Sequence, residues 1–423
     1  MTRLLVIMCM GFVGLYAAGN VHALQPITIR KGGFYAGKKT FAFRGINWFG
    51  FNNKQTFVDG LWVGGSSLGS DYATIVYKLH LLGFNSVRLP FVFLDLDLPL
   101  KSQAYPCQKV GNYSKVAEHV QWRGKTLSTP WFWPMSTEKT CNTYILTKGR
   151  TLERFHWVVQ FFVKSGMYVV IDYHPMGMEA IARNVEDCTR RWVTLWKSFM
   201  ALPNFDRELR GRVFLDILNE PDSMGMGWAE TGRLYLSVMD EISKIDKTAM
   251  FLIEGTGQTG YKLSWGNGFI VDPEIIKKYG IDDPGWFFQS LNSRSYRSRI
   301  IISPHLYGPS VTGQAELSST QIRQQLNASF GRFLQSGKYP VILGEFGSRF
   351  TDTRDVRYYD TMAEWFMHAT KNNKNHIHWM YWCYSFNSAD TGGIVKERDG
   401  QIEWIKIHWL RQKLFLKYVT KET

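Results

Sequence analysis

The chain has 423 residues, 45% hydrophobic and 20% charged, a balance that can bury a large core and excludes both a disordered chain and a disulfide-held miniprotein. Its net charge of +14 is dispersed, with no basic run longer than two residues, so nucleic acid is not an expected partner. Aromatic residues reach 15%, including 16 Trp, and because a buried indole N–H needs a partner, this many suggests flat surfaces that serve more than packing.

In chain order, Met1-Thr-Arg3 precedes an apolar stretch from Leu4 to Ala18 and a Val21-His22-Ala23 site, which reads as a secretory signal peptide over residues 1–23. No other stretch approaches transmembrane length, so a secreted, extracellular protein without stable membrane insertion is expected, with residues 24–423 as one domain. A small hairpin is predicted around Ile27–Lys39. Apolar, β-rich runs then alternate with amphipathic helices. Strands are expected at Phe41–Phe49, Ser86–Pro90, Tyr168–His174, Val213–Glu220, Met250–Gly255, Ile300–Tyr307, Val341–Phe346 and Trp379–Ser385. Helices are expected at Tyr72–Leu82, Leu152–Lys164, Arg190–Ala201, Ala229–Ile245, Thr320–Gln335, Val356–Lys371 and Ile402–Tyr418, with Gly83, Gly166 and Gly337 as C-cap glycines. Eight strands with helices between them read as an α/β (β/α)8 barrel; alternation alone would equally allow a doubly wound open sheet. The extra length falls in loops Phe91–Arg150, after the second strand, and Thr256–Arg299, after the fifth. These carry Trp122, Trp131, Trp133, Trp265 and Trp286.

Several local patterns mislead. Gly255-Thr-Gly257-Gln-Thr-Gly260 follows a strand but leads into no helix, so a dinucleotide would lack its helix N-terminus. Gly65-Ser-Ser67-Leu-Gly69 has no buried strand before it, as a nucleophile elbow requires. His376-Ile-His378 lacks a third ligand at useful spacing and reads as a strand-entry pair. Neither metal nor cofactor is needed. Cys107, Cys141, Cys188 and Cys383 form no CxxC pair: Cys107 and Cys141 could bridge, while Cys188 and Cys383 could be buried thiols or a second bridge. Asn112-Tyr-Ser and Asn327-Ala-Ser are N-glycosylation acceptors if the source is eukaryotic.

Chemistry-bearing residues concentrate at the carboxyl ends of the expected strands, where barrel enzymes build their sites. These are Arg88, His174, Asn219 with Glu220, His305 with Tyr307, Glu345, and Trp382. Glu220 and Glu345 end the fourth and seventh strands, so an eight-stranded ring lets them face each other across its axis. Two opposed carboxylates are what glycoside hydrolysis requires.

With Arg44-Gly-Ile-Asn-Trp-Phe-Gly50, Arg88-Leu-Pro, Asp172-Tyr-His174, Asn219-Glu220-Pro221, His305-Leu-Tyr307, Gly344-Glu345-Phe-Gly347 and Ser388-Ala-Asp-Thr-Gly-Gly393, the sequence resembles glycoside hydrolase family 5, the cellulase family, from about Ile27 to Trp409. The first and last of these motifs, with Asp59-Gly-Leu-Trp62, look most like its endo-β-1,4-glucanase branch. The resemblance implies a monomer that acts on a polysaccharide by double displacement with retention, Glu345 as nucleophile and Glu220 as acid and then base. Arg88 and Tyr307 would align Glu345, Asn219 would bind the sugar 2-hydroxyl, His174 and His305 would line the subsite, and Trp382 would form its floor. Asn47, Trp48 and Trp62 are weaker candidates for extending the cleft. Cys383 and Tyr384 depart from the family pattern, in which a small residue and often a second Trp follow the strand-eight Trp. A β-mannanase, a β-1,3-glucanase or a non-catalytic glycan-binding protein would share the scaffold.

Overall fold

A computed structural model describes residues 24–59, 71–100, 114–121, 142, 144–175, 179–371, 373–396 and 401–420. The expected signal peptide, Trp62, the Gly65–Gly69 pattern, Cys107, Cys141, Asn112, Trp122, Trp131 and Trp133 lie outside those residues.

The expected hairpin is a three-stranded antiparallel sheet, because Lys39–Phe41 (β3) adds to Ile27–Arg30 (β1) and Gly33–Ala36 (β2). Eight parallel strands follow: Arg44–Asn47 (β4), Ser86–Phe91 (β5), Tyr168–Tyr173 (β6), Val213–Asp216 (β7), Phe251–Ile253 (β8), Ile300–Ile302 (β9), Ile342–Leu343 (β11) and His378–Tyr381 (β13). Their order runs from β4 to β9 in sequence, with β13 and then β11 on the other side of β4. The remaining gap is closed by a parallel bridge between Ile302 and Val341, and by the pairing of His305–Leu306 (β10) with Glu345–Phe346 (β12). The result is a (β/α)8 barrel, as expected, rather than an open sheet.

Helices form where the periodicity placed them, with local caps. Tyr72–Leu82 starts where the Asp71 carboxylate accepts the Thr74 N–H at 3.0 Å, and it stops at Gly83, whose φ of 96° suits glycine. The helix expected over Thr320–Gln335 is interrupted by a wide turn at Asn327–Gly331, and the last helix is shorter than expected, Trp404–Leu414.

The alternation of strand side chains separates two cores. Val87, Leu89, Val169, Ile171, Leu215, Phe251 and Ile300 point outward into the shell shared with the helices. Val170, Phe214, Leu252, Ile301, Ile342 and Met380 point inward and fill the lower barrel, where Ile27 and Phe34 of the small sheet join the same cluster. The lower barrel is therefore filled by apolar side chains. Cys188 and Cys383 are free and buried, which settles the alternatives for these two as thiols. The Asn327 sequon lies in the helical turn, with Asn327 exposed, Ser329 buried and the Asn327 Oδ1 accepting from the Trp365 indole at 2.9 Å.

Candidate active site

One step above the apolar layer, the same inward alternation continues with polar residues: Asn47, Arg88, Asp172, Asp216 and, just past β8, Glu254, all fully buried. Arg88 organises this layer. Its Nε donates to Asp216 at 2.8 Å, Nη1 to Glu345 at 2.5 Å and Asn47 at 3.1 Å, and Nη2 to Asn219 and Glu254 at 3.0 Å each. Asp172 lies 3.1 Å from Nη2. Burial alone would lower the guanidinium pKa, but Asp172, Asp216, Glu345 and Glu254 outweigh it and hold the charge firmly.

Several strands end short of their expected limits, so the reactive groups stand just beyond them. Glu220 has φ 41°, an uncommon left-handed conformation for a non-glycine residue, held by its N–H donating to Glu254 Oε2 at 2.8 Å. Its Oε1 lies 2.9 Å from Nδ1 of His305. Glu345 accepts from Tyr307 O–H at 2.7 Å on the oxygen not held by Arg88. Gly344 cannot carry a side chain without displacing His305, since an added Cβ would lie 2.8 Å from Nε2 and 2.4 Å from Ser303 Oγ. His174 is oriented by Asp172 at 2.9 Å and lies 3.4 Å from Asn219. The Trp382 ring runs nearly parallel to His174 and Phe49, at 14° and 19°, and donates its N–H to Ser388 at 3.1 Å. Buried Lys406 on the last helix donates to the carbonyls of Thr391, Gly392 and Gly393, which steadies the loop that carries Ser388.

All eight residues singled out at the strand ends thus converge on one rim. The cleft-extending candidates fare differently. Trp48 is fully buried against Tyr72, Phe162 and Tyr384, with its indole N–H on the Asp59 carbonyl at 2.6 Å, so it is core. Asn47 is buried too and holds Arg88 from below the cleft. Trp265 reaches the rim, 6.5 Å from Tyr307, whereas Trp286 sits over Gly232 among the outer helices. Asp216 and Glu254 were missed by sequence reasoning; each is an acidic residue in or just past an apolar strand, in register with the inward face.

Burial, reinforced by Glu345 and Glu254 and opposed by His305, pushes Glu220 up to about 8. Burial pushes Asp216 up to about 6 and Glu254 well above the carboxylate range. Burial would lower His305, but Glu345 and Glu220 win and raise it. The raised Glu220 carboxyl contributes stability that is full below an unfolded-state pKa of about 4.3 and is lost as pH climbs towards 8. Glu220→Gln is therefore expected to be more stable than the parent protein at pH 8 but not at pH 4, measured by urea unfolding; an equal difference at both would contradict the raised carboxyl.

Carboxylates and histidines come within 4.8 Å of one another in three groups, Asp172–His174–Glu345, Asp172–Asp216–Glu254 and Glu220–His305–Glu345. In the first two, Arg88 already supplies the positive charge a metal ion would bring.

A (β/α)8 barrel with this rim defines a glycoside hydrolase of the barrel class. The sequence signature of the family described as Cellulase (glycosyl hydrolase family 5) matches residues 36–388, and the chain belongs to that family. It is 24% identical over 385 residues to the major extracellular endoglucanase of Xanthomonas campestris pv. campestris, covering 88% of this chain and 68% of that protein. It is 22% identical over 393 residues to endoglucanase G of Acetivibrio thermocellus, covering 83% of this chain and 64% of that protein. The chain thus spans about two thirds of the length of these relatives. Among solved structures, the endocellulase of Pyrococcus horikoshii with cellotetraose superposes with a TM-score of 0.62 at 20% identity, covering 92% of this chain and 98% of that one. The catalytic domain of the Xanthomonas enzyme gives 0.59 at 21%, covering 92% and 99%. Among the described residues no helix is long and apolar enough to cross a membrane.

Proposed function

We propose that the protein is an endo-acting β-1,4-glucanase that cleaves cellulose-like polysaccharide with retention of configuration, outside the cell after loss of residues 1–23. The observation that supports the mechanism is that the two carboxyl groups meet at one imidazole: His305 Nδ1 lies 2.9 Å from Glu220 and 3.7 Å from Glu345, and an oxygen of each lies within 4.8 Å of one of the other. Retention itself is taken from the family resemblance, in which one carboxyl group is the nucleophile and the other the acid and then the base.

In the first step, ionised Glu345, aligned by Arg88 and Tyr307, attacks the anomeric carbon. The glycosidic C–O bond breaks as Glu220 gives its proton to the departing oxygen. In the second, Glu220 takes a proton from water, which attacks the same carbon and frees Glu345. The burial that raises Glu220 keeps it loaded near neutral pH, so activity falls as pH rises through about 8. Asn219 faces the 2-hydroxyl, His174 and His305 line the subsite, and Trp382 offers an aromatic floor. The glucan assignment is supported by the relatives named endoglucanase and by the neighbour crystallised with cellotetraose.

Incubation with carboxymethyl cellulose, β-mannan, laminarin and xylan, followed by reducing-end assay and proton NMR of the first-formed anomer, tests the reading. Release chiefly from carboxymethyl cellulose, with retained configuration, is expected. Preference for mannan or laminarin would reassign the substrate, an inverted anomer would remove the mechanism, and release from none would favour a glycan-binding role.

A further inference from the structure

The double displacement assigns no task to Glu254, yet its carboxyl reaches Glu220 twice, directly at the backbone and through the ring of His305. Glu254 Oε2 accepts the backbone N–H of Glu220 at 2.8 Å, while Oε1 lies 3.1 Å from Nε2 of His305, whose Nδ1 is 2.9 Å from the Glu220 carboxyl. Nε2 lies 3.1 Å from Glu254 Oε1 without meeting hydrogen-bond geometry, and among the described residues this fully buried nitrogen has no hydrogen-bond partner. An imidazole between two carboxyl groups, closed to water, is a bridge for one proton.

We propose that Glu254 is a positioning residue that shares the proton of Glu220 through His305, so that Glu220, His305 and Glu254 titrate as one unit. The inference rests on the glycosidase reading and deepens it. When Glu220 gives its proton to the leaving oxygen, the three groups together hold one proton fewer. When Glu220 deprotonates the attacking water, the count is restored, so no outside acid or base is consumed. Once Glu220 has given its proton, the one that remains on the imidazole can sit on Nε2, facing Glu254 Oε1, or on Nδ1, facing Glu220.

The surroundings make this sharing consequential. Glu254 is faced by Arg88 from β5, Asp172 from β6, Asp216 from β7, the Tyr235 hydroxyl from the helix Trp228–Ile245, and His305 from β10. Glu220 is faced by His305 and by Glu345 from β12. With several carboxylates and one guanidinium in a buried layer, not all the acids can ionise together, and burial with the neighbouring charges of Asp216 and Asp172 raises Glu254 well above the carboxylate range. A carboxylate formed at Glu254 opposes ionisation of Glu220 across the imidazole.

Glu254→Gln keeps the shape and removes the titrating group. The alkaline limb of its kcat/KM profile is expected to move towards acid by about one pH unit, a tenfold loss on that limb, with the acid limb in place. Glu254→Asp, which keeps the carboxyl, is expected to lose activity more evenly across pH. An unmoved limb in Glu254→Gln, with kcat lowered equally at all pH values, would overturn the proposal and leave Glu254 as a support for the Glu220 backbone. Carboxyl NMR of the glutamate-labelled parent protein decides independently of whether the variant folds: two resonances titrating together in two steps are expected, and independent single-step curves would overturn the sharing. If the parent protein hydrolysed no glycan, the glycosidase reading would fall while this titration still judged the proton bridge.

Discussion

Glu345→Gln is expected to lower kcat by about 10⁴-fold or more on whichever glycan the protein hydrolyses. Both carboxyl oxygens of Glu345 are committed, one to Arg88 at 2.5 Å and the other to Tyr307 at 2.7 Å, which fixes its position as the proposed nucleophile. The amide keeps the volume and removes the negative charge and the attacking oxygen together. Because three other carboxylates, Asp172, Asp216 and Glu254, remain on Arg88, the fold is expected to persist, so unchanged circular dichroism should accompany the lost turnover. Activity within tenfold of the parent, measured as reducing ends released by purified protein, would remove Glu345 as the nucleophile.

Arg88→Met is expected to have the largest effect on stability, about 3–5 kcal/mol at pH 8, because it leaves a set of buried carboxylates without their cation. The direction with pH follows from the charges. Without the guanidinium that opposes their rise, Asp216 and Glu254 hold their protons more tightly in the folded than in the unfolded chain. The variant therefore keeps its stability at low pH and loses it as pH rises, and its deficit against the parent should shrink between pH 8 and pH 5. Arg88→Lys should recover only part of the loss, since an ammonium cannot reproduce the planar fork that meets Asp216, Glu345, Asn47, Asn219 and Glu254 at once. A deficit independent of pH in urea unfolding would show that packing, not charge, is what Arg88 provides.

How far the sequence could be read depended on whether information was local or folded in from elsewhere. The barrel was legible because continuous apolar runs and amphipathic helices alternate through the chain, and the rim was legible because its residues interrupt apolar strands at their ends. Asp216 was within reach of the same logic: Phe214 and Asp216 alternate on one face of β7, as Leu252 and Glu254 do at the end of β8. What hid them was attention to motif residues beyond each strand rather than to its inward face. Trp48 was misplaced for a different reason. The partner of its indole is a backbone carbonyl, that of Asp59, and its packing partners come from Tyr72, Phe162 and Tyr384, which no local pattern announces. The wide turn at Asn327–Gly331, which divides an expected single helix, accompanies a side chain to side chain bond between Asn327 and Trp365, again a tertiary event.

The Lys406 contact carries a consequence for the molecule as a whole. A single ammonium on the outer ring grips the carbonyls of Thr391, Gly392 and Gly393, and the Thr391 hydroxyl lies 2.8 Å from that of Ser388, which accepts the indole N–H of Trp382. The helix Trp404–Leu414 is thus both the last stave of the wall and the tether that sets the pose of Trp382. Loosening that helix from the outside would release the loop that holds the Trp382 ring, so the soundness of the outer shell and the shape of the rim are one mechanical property.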